Sequence, residues 1–313
     1  MLWKNGVATA LTDGTHNAAA SSVAISGSDV YVSGWESNGI NNIAYLWKNG
    51  VGEALTDGTL SAGAAQVIIS GTDVYVAGGE SGIDAQNNYQ SNAGYWKNGV
   101  YTALLTAVPA ANPAAGYSGG GYVAAIAIEG SDIYVAGAQY EFTLTGPGTA
   151  VVNDVPTYWK NGQAVALTDG LNPATAGSIA VVGTDVYVAG GNCLSEAPDC
   201  FYAVYWKNGV MTQLPAAPSI VASGIAVSGS NVYMATNGSN SAGGLAQYWV
   251  NDTPTTLYNS PVASANGIVL YGTDVYVVGA QLGGACYWKN GNLQSITGGQ
   301  YPSIGGGIAV VQP

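Results

Sequence analysis

Few side chains in this sequence are equipped for chemistry. Acidic and aromatic residues gather in the irregular stretches between apolar runs: Trp35 and Glu36; Glu80 and Asp84 with Tyr89; Tyr140, Glu141 and Phe142; Asp154; and Glu196 and Asp199 with Phe201. Two carboxylates roughly 5–10 Å apart would form the acid/base pair of glycoside chemistry. Several acidic oxygens together would suit Ca²⁺, although no Asp-x-Asp-x-Asp-Gly loop is present. The simplest reading of separate loop acids is that they are solvated. Trp35 is the only tryptophan outside a repeated element; its ring offers a face for a sugar, or an anchor for its own loop. His16 is the single histidine and has no Ser–His–Asp spacing around it, so it is read as incidental. No cofactor or metal is expected.

The basic residues are informative in another way. There is no arginine, and all six lysines (Lys4, Lys48, Lys97, Lys160, Lys207 and Lys289) sit in the same tetrapeptide, Trp-Lys-Asn-Gly. With a net charge of -12 and no basic cluster, binding to nucleic acid or to an anionic membrane surface is disfavoured. No guanidinium fork is available for phosphate or carboxylate. Apolar runs are short and bounded by Gly, Ser, Asn and Asp; none approaches the roughly 18 residues of a spanning helix. Cys193 and Cys200 flank a short loop and are expected to form a disulfide in an oxidising compartment, whereas Cys286 reads as a small buried residue. Met1 is followed at once by a repeat element, with no signal peptide in the sequence. An extracellular, periplasmic or cell-surface location is expected from composition alone. Asn237-Gly-Ser and Asn251-Asp-Thr match the glycosylation acceptor pattern.

What must position these residues is a repeat. Element A is an apolar run such as Ile225-Ala226-Val227; element B reads Asp-Val-Tyr-Val, as at Asp73–Val76; element C ends in Tyr-Trp-Lys-Asn-Gly, as at Tyr95–Gly99; element D is a short strand ending in Leu-Thr, as at Leu167-Thr168. A and B are joined by Gly-Ser or Gly-Thr, and C and D by Asn-Gly, a strong hairpin signal. The B–C connection varies, and D–A is expected to run ten residues or more. Each repeat is therefore a four-stranded antiparallel meander that must stack on its neighbours, which gives an all-β propeller in a single domain. A and C occur seven times and B six times. The expectation is seven blades, with the N-terminal C and D and the C-terminal A sharing a closing blade that lacks B. The alternative is six blades with the end segments packed outside.

Strand pairing makes a further expectation. B and C are antiparallel neighbours, so the Asp opening B should lie beside the Lys ending C: Asp29 with Lys48, Asp73 with Lys97, Asp132 with Lys160, Asp185 with Lys207, and Asp274 with Lys289. In the fifth repeat both charges vanish together, as Asn231 and Val250. These lysines read as structural.

An apolar strand, a turn, Val-Tyr-Val followed by Gly-Gly (Gly78-Gly79, Gly190-Gly191), then Tyr and Trp, resembles the kelch-type repeat and the propeller repeats of bacterial extracytoplasmic proteins. The resemblance covers nearly the whole chain and concerns scaffold residues. Kelch-like folds include binding proteins and a copper radical oxidase; the two histidine ligands of the latter are not matched here. The arginine cluster of sialidase-type propellers is not matched either. Function is expected on the variable B–C/D–A face, with Trp35, Glu36, Glu80, Asp84, Tyr89, Tyr140, Glu141, Phe142, Glu196 and Phe201 as candidate ligand residues. The expected role is non-enzymatic binding of a glycan or protein by a secreted or surface propeller. The alternatives are a structural or self-assembling extracellular protein, with self-association through the incomplete blade, and a carbohydrate-active hydrolase or lyase using the loop carboxylates.

Overall fold

The computed structural model describes residues 1–83, 89–106, 108–109, 117–118, 120–146, 149–194, 200–216, 219–240, 243–260, 262–297 and 303–311. The chain forms two compact units, Met1–Thr175 and Ala176–Pro313.

The first unit opens with a hairpin, β1 (Leu2–Lys4) and β2 (Val7–Thr9). Blade 1 is β3 (Ala18–Ser26), β4 (Asp29–Ser37), β5 (Asn42–Lys48) and β6 (Val51–Ala54). Blade 2 is β7 (Ser61–Ser70), β8 (Asp73–Ile83), β9 (Tyr89–Lys97) and β10 (Val100–Thr106). A small ladder of β11 (Val108–Pro109) and β12 (Tyr117–Ser118) precedes blade 3, which is β13 (Gly121–Glu129), β14 (Asp132–Gly146), β15 (Thr149–Lys160) and β16 (Gln163–Ala166).

In the second unit, blade 4 is β17 (Ala174–Val182), which begins at the junction, then β18 (Asp185–Cys193), β19 (Phe201–Lys207) and β20 (Val210–Gln213). Blade 5 is β21 (Ile220–Ser228), β22 (Asn231–Asn240), β23 (Gly243–Val250) and β24 (Thr253–Asn259). Blade 6 is β25 (Ser264–Tyr271), β26 (Asp274–Gln281), β27 (Gly284–Lys289) and β28 (Asn292–Ser295). Each blade is a four-stranded antiparallel sheet in the order A-B-C-D. This is the β-propeller architecture.

The turns explain the uniformity. Asn49 and Gly50 have φ of 52° and 86°, as a type I′ turn requires at both central positions. Asn49 also ties the hairpin to the neighbouring strand: Val30 N–H donates to its Oδ1 (2.9 Å), and its Nδ2 donates to Asp29 Oδ1 (2.8 Å). Lys48 takes the other oxygen of the same carboxylate at 2.8 Å and lies 5.2 Å over the Tyr31 ring. The arrangement recurs with Asp73–Lys97, Asp132–Lys160, Asp185–Lys207 and Asp274–Lys289, at 2.7–2.8 Å. The backbone partner of each lysine is the tyrosine two residues after the aspartate, as Tyr31 opposite Lys48; the lysine reaches back along the ladder to the carboxylate. In blade 5 there is no ion pair, and only the turn asparagine's bond is kept, from Asn251 Nδ2 to Asn231 Oδ1 (3.0 Å).

These exposed pairs have a pH signature. The lysine, followed by the asparagine, holds each of the five aspartates below the ordinary 3.8. A depressed folded value means a stabilising contribution that is complete above the unfolded pKa and lost as pH falls through the folded one. The lysines are raised above 10.5 by their aspartates, so their contribution is complete below that pH and lost above it. Asp13 and Asp57 are lowered too, by hydrogen bonds from Thr15 and Thr59, so Asp154, raised by burial, acts in the opposite sense at the acid end but is one group against seven. Thermal melts should therefore fall below about pH 4 and above about pH 9, where the buried Cys286 thiol begins to cost stability before the lysines do. A melt temperature that stays level down to about pH 2 would contradict this.

Packing joins successive blades. Trp47, Trp96, Trp159, Trp206, Trp249 and Trp288, one per blade, are at most 3 % exposed. Trp96 packs with Val67 and Val76 of its own blade against Ala44 and Leu46 of blade 1, and Trp159 packs against Tyr75, Ala77 and Ala93 of blade 2. Trp249 and Trp288 lie in equivalent clusters between blades 4 and 5 and blades 5 and 6. Each A strand among blades 1, 2, 3, 5 and 6 is interrupted by a β-bulge at the same point, as between Ala64 and Gln66. At the corresponding A-strand position, polar side chains of blades 2 and 4 bond to the next blade's A strand: Gln66 Oε1 accepts from Ile126 N–H (2.7 Å), and Ser178 Oγ accepts from Ile225 N–H (3.2 Å).

Of the two blade counts expected, the structure bears out the alternative: the described residues contain six complete blades. The terminal segments form no four-stranded sheet, because element B, the strand that would pair with both A and C, is missing. The hairpin β1–β2 instead stands alone as a two-stranded sheet. Its Leu2, with Leu11, packs beside Trp47 as Leu46 and Leu55 pack beside Trp96, so it covers blade 1 as the C and D strands of a preceding blade would. In the second unit, residues 303–311 form no strand, yet Asn266 Nδ2 donates to Gly305 O (3.0 Å) where Ser223 Oγ bonds Ala265 O in the blade before. Most D–A connections are also shorter than expected, the one between β10 and β13 excepted. Residues 55–60, 167–173 and 214–219 suffice, because small residues such as Ser61-Ala62-Gly63-Ala64 extend the A strands upstream of their apolar runs.

Candidate functional site

The A–B and C–D turns are two residues long in every blade, whereas the B–C connections and hairpin lengths differ. Blade 3 departs most, with 15 and 12 residues in β14 and β15 against 9 and 7 in β4 and β5 of blade 1. Diversity is confined to one end of the blades, where a rigid scaffold can present it.

At that end blade 2 carries a cavity of about 410 Å³, bounded by β7, β8 and β9, with Ser21 of blade 1 and Gly121–Val123 of blade 3 completing its walls. It exists because the strands here are built of small residues. A Cβ on Gly78 would strike the Gly63 carbonyl, and one on Gly79 the Asn92 carbonyl. The polar side chains on its wall are Ser21, Ser61, Glu80, Ser81, Ser91 and Asn92, with Tyr122 as the aromatic. Glu80 and Asn92 are cross-strand partners, and Asn92 Nδ2 donates to Glu80 Oε1 at 3.3 Å. Ser91 is 2 % exposed, and its Oγ donates to Gly121 O (3.2 Å), joining blade 2 to blade 3. Behind the site, burial first and the Glu80 charge second push the Tyr101 phenol above its ordinary value.

The cavity offers one carboxylate, one carboxamide, several hydroxyls, backbone carbonyls and an aromatic ring. That set both donates and accepts hydrogen bonds. Glu80 is the only carboxylate among its lining residues, whereas glycoside hydrolysis by paired carboxylates needs two. Among the described residues, no group of three or more His, Cys, Asp or Glu side chains could hold a metal ion.

The other sequence candidates lie elsewhere. Trp35 and Glu36 are strand residues of β4, opposite Ala44 and Ile43, and are not loop residues; both are half-buried and do not line the cavity. Tyr89 opens β9 opposite Ile83. Tyr140, Glu141 and Phe142 lie in β14 and pair with Asp154, Asn153 and Val152 in one long hairpin. Phe201 opens β19 opposite Cys193. Asp84, Glu196 and Asp199 lie outside the described residues. Cys193 and Cys200 are disulfide-bonded with Cα atoms 4.5 Å apart, tying the ends of the B–C connection of blade 4. Cys286 is buried, and burial pushes its thiol up to about 12.

Asn92, Ser91 and Tyr122 were not anticipated, although a signal for Asn92 exists. At its register in the C strands the other blades carry Ile43, Val155, Tyr202, Leu245 and Gly284. Only blade 2 sets a polar residue opposite the polar B-strand position held by Glu80.

No protein-family model and no curated protein matches this chain. Solved structures do match in fold. A polysaccharide lyase of family PL25, an ulvan lyase, is 11% identical, with a TM-score of 0.54 over 80% of this chain and 73% of the lyase. The same enzyme bound to -[GlcA(1-4)Rha3S]- matches with a TM-score of 0.51 and 10% identity over the same shares. The β-propeller domain of the Trilobed protease from Pyrococcus furiosus covers 91% of this chain and 97% of that domain, at 9% identity and a TM-score of 0.43. At these identities the likeness to the lyase is one of fold alone.

Proposed function

We propose that this protein is a secreted or cell-surface binding propeller that holds an uncharged glycan at the variable end of its blades, with the blade 2 cavity seating a sugar residue. The observation that carries this is the Glu80–Asn92 pair in a cavity otherwise walled by small residues and hydroxyls. A carboxylate beside a carboxamide accepts from and donates to adjacent sugar hydroxyls, and Tyr122 supplies an apolar face. An uncharged ligand is favoured because five of the six lysines are engaged by aspartates on their own blades and the chain has no arginine. Binding is favoured over turnover because the cavity has a single carboxylate. The Cys193–Cys200 disulfide fits an oxidising compartment.

The test is an array of neutral and acidic glycans followed by calorimetry on the strongest binder. Glu80→Gln and Asn92→Ala should each weaken that binding by about tenfold, the loss of one good hydrogen bond to a charged or amide group. Binding that survives both substitutions would place the glycan elsewhere. A preference for sulfated or uronic glycans would refute the uncharged class, and measurable turnover would refute binding as the function.

A further inference from the structure

We propose that the aspartate opening strand B protects the neighbouring Asn-Gly turn from losing its side-chain amide, and that the five turns so guarded are latent sites of conversion to aspartate and isoaspartate. An asparagine followed by glycine carries its own reaction. The glycine main-chain nitrogen attacks the asparagine Cγ. An N–Cγ bond forms, the Cγ–Nδ2 bond breaks, and the proton of the glycine amide leaves with Nδ2 as ammonia. Water then opens the resulting five-membered imide at either carbonyl. Glycine favours the attack because no Cβ shields its nitrogen. The sequence places this pair at Asn49-Gly50, Asn98-Gly99, Asn161-Gly162, Asn208-Gly209 and Asn290-Gly291, and all five asparagines are exposed.

The structure holds each of the five in the same way. Nδ2, the leaving group, donates to Oδ1 of the aspartate that opens strand B at 2.7–2.8 Å. Oδ1 accepts from the N–H of the residue after that aspartate at 2.8–2.9 Å. Both polar atoms are thus bound to strand B, and both bonds have to break before Cγ can swing onto the glycine nitrogen. The bond to the carboxylate is the stronger of the two, because its acceptor is charged. The reaction would also undo the hairpin it starts from. A carboxylate formed at position 98 would face the Asp73 carboxylate, a like-charge contact where an amide had donated.

Blade 5 supports this reading. Its B strand opens with Asn231, so Asn251 Nδ2 meets a neutral oxygen at 3.0 Å. In the same blade the residue after the turn asparagine is Asp252 and not glycine. The guard and the hazard are absent together.

The experiment ages the full chain at mildly alkaline pH and measures aspartate and isoaspartate at each turn by mass spectrometry of proteolytic peptides. Asp73→Ala should raise the rate at Asn98 by about tenfold, the gain in released side chain on losing one hydrogen bond to a charged group. Asn49, Asn161, Asn208 and Asn290 in the same molecules should age as before. Lys97→Gln takes the lysine from the same carboxylate but keeps the Asn98 bond, and it should leave the Asn98 rate unchanged. An Asn98 rate indifferent to Asp73→Ala would overturn the proposal. So would an equal rise in Lys97→Gln, which would make hairpin opening the controlling step, or a rise at all five turns, which would make it global unfolding.

Discussion

Trp96→Ala is expected to lower the stability of the protein by about 3–5 kcal/mol, the usual cost of removing a buried tryptophan and leaving its space partly empty. Trp96 is 3 % exposed and sits at the seam between two blades, against Ala44 and Leu46 on one side and Val67 and Val76 on the other. Trp3→Ala, at the partly exposed position of β1, should cost less, in proportion to the smaller area buried. Urea unfolding with the slope held common to both variants would measure the difference. Near-equal losses at the two sites would mean that blade stacking is not what fixes the cost.

Asn98→Ala is the second large effect, about 2–3 kcal/mol from an exposed turn. Asn98 holds φ of 50°, a conformation that costs alanine roughly 1 kcal/mol or more. The substitution also removes the acceptor for Val74 N–H (2.8 Å) and the donor to Asp73 Oδ1 (2.8 Å). Asn98→Gly separates the two contributions: glycine relieves the backbone and still lacks the side chain, so it should recover about 1 kcal/mol of the loss. Thermal melts of the two variants would show this, and identical melts would remove the backbone contribution from the account.

Most of the scaffold was legible because it repeats. Asp29 with Lys48 and its four counterparts could be paired before any coordinates, since the simultaneous change to Asn231 and Val250 marks strands B and C as neighbours. The asparagine of the turn was read only as a turn former. Its second role, gripping the same aspartate, leaves no trace in periodicity because it is present wherever the turn is. Trp35, Glu36 and Tyr140 were taken for loop residues because Gly and Ser surround them. In this chain, however, Gly-rich stretches continue the strands, as Gly78-Gly79 does, where backbones approach too closely for any side chain. The cavity was hidden for a related reason: its walls are largely small residues such as Gly63, Ala64 and Ala65, while a motif search looks for side chains that are present. Of the two blade counts the repeats allow, six is the one the structure shows. Element A and element C recur seven times, but without B the two have no strand in common, and counting elements does not replace the hydrogen bonds a central strand supplies.

These contacts between blades have a consequence for how such a chain can change in sequence. Gln66 and Ser178 reach across to main-chain N–H groups of the following blade, not to particular side chains. A main-chain amide is present whatever residue occupies the position. At these two junctions the bond survives a change of the residue that supplies the amide. The adhesive there is thus general, while each blade's own hairpin tip remains free to diversify.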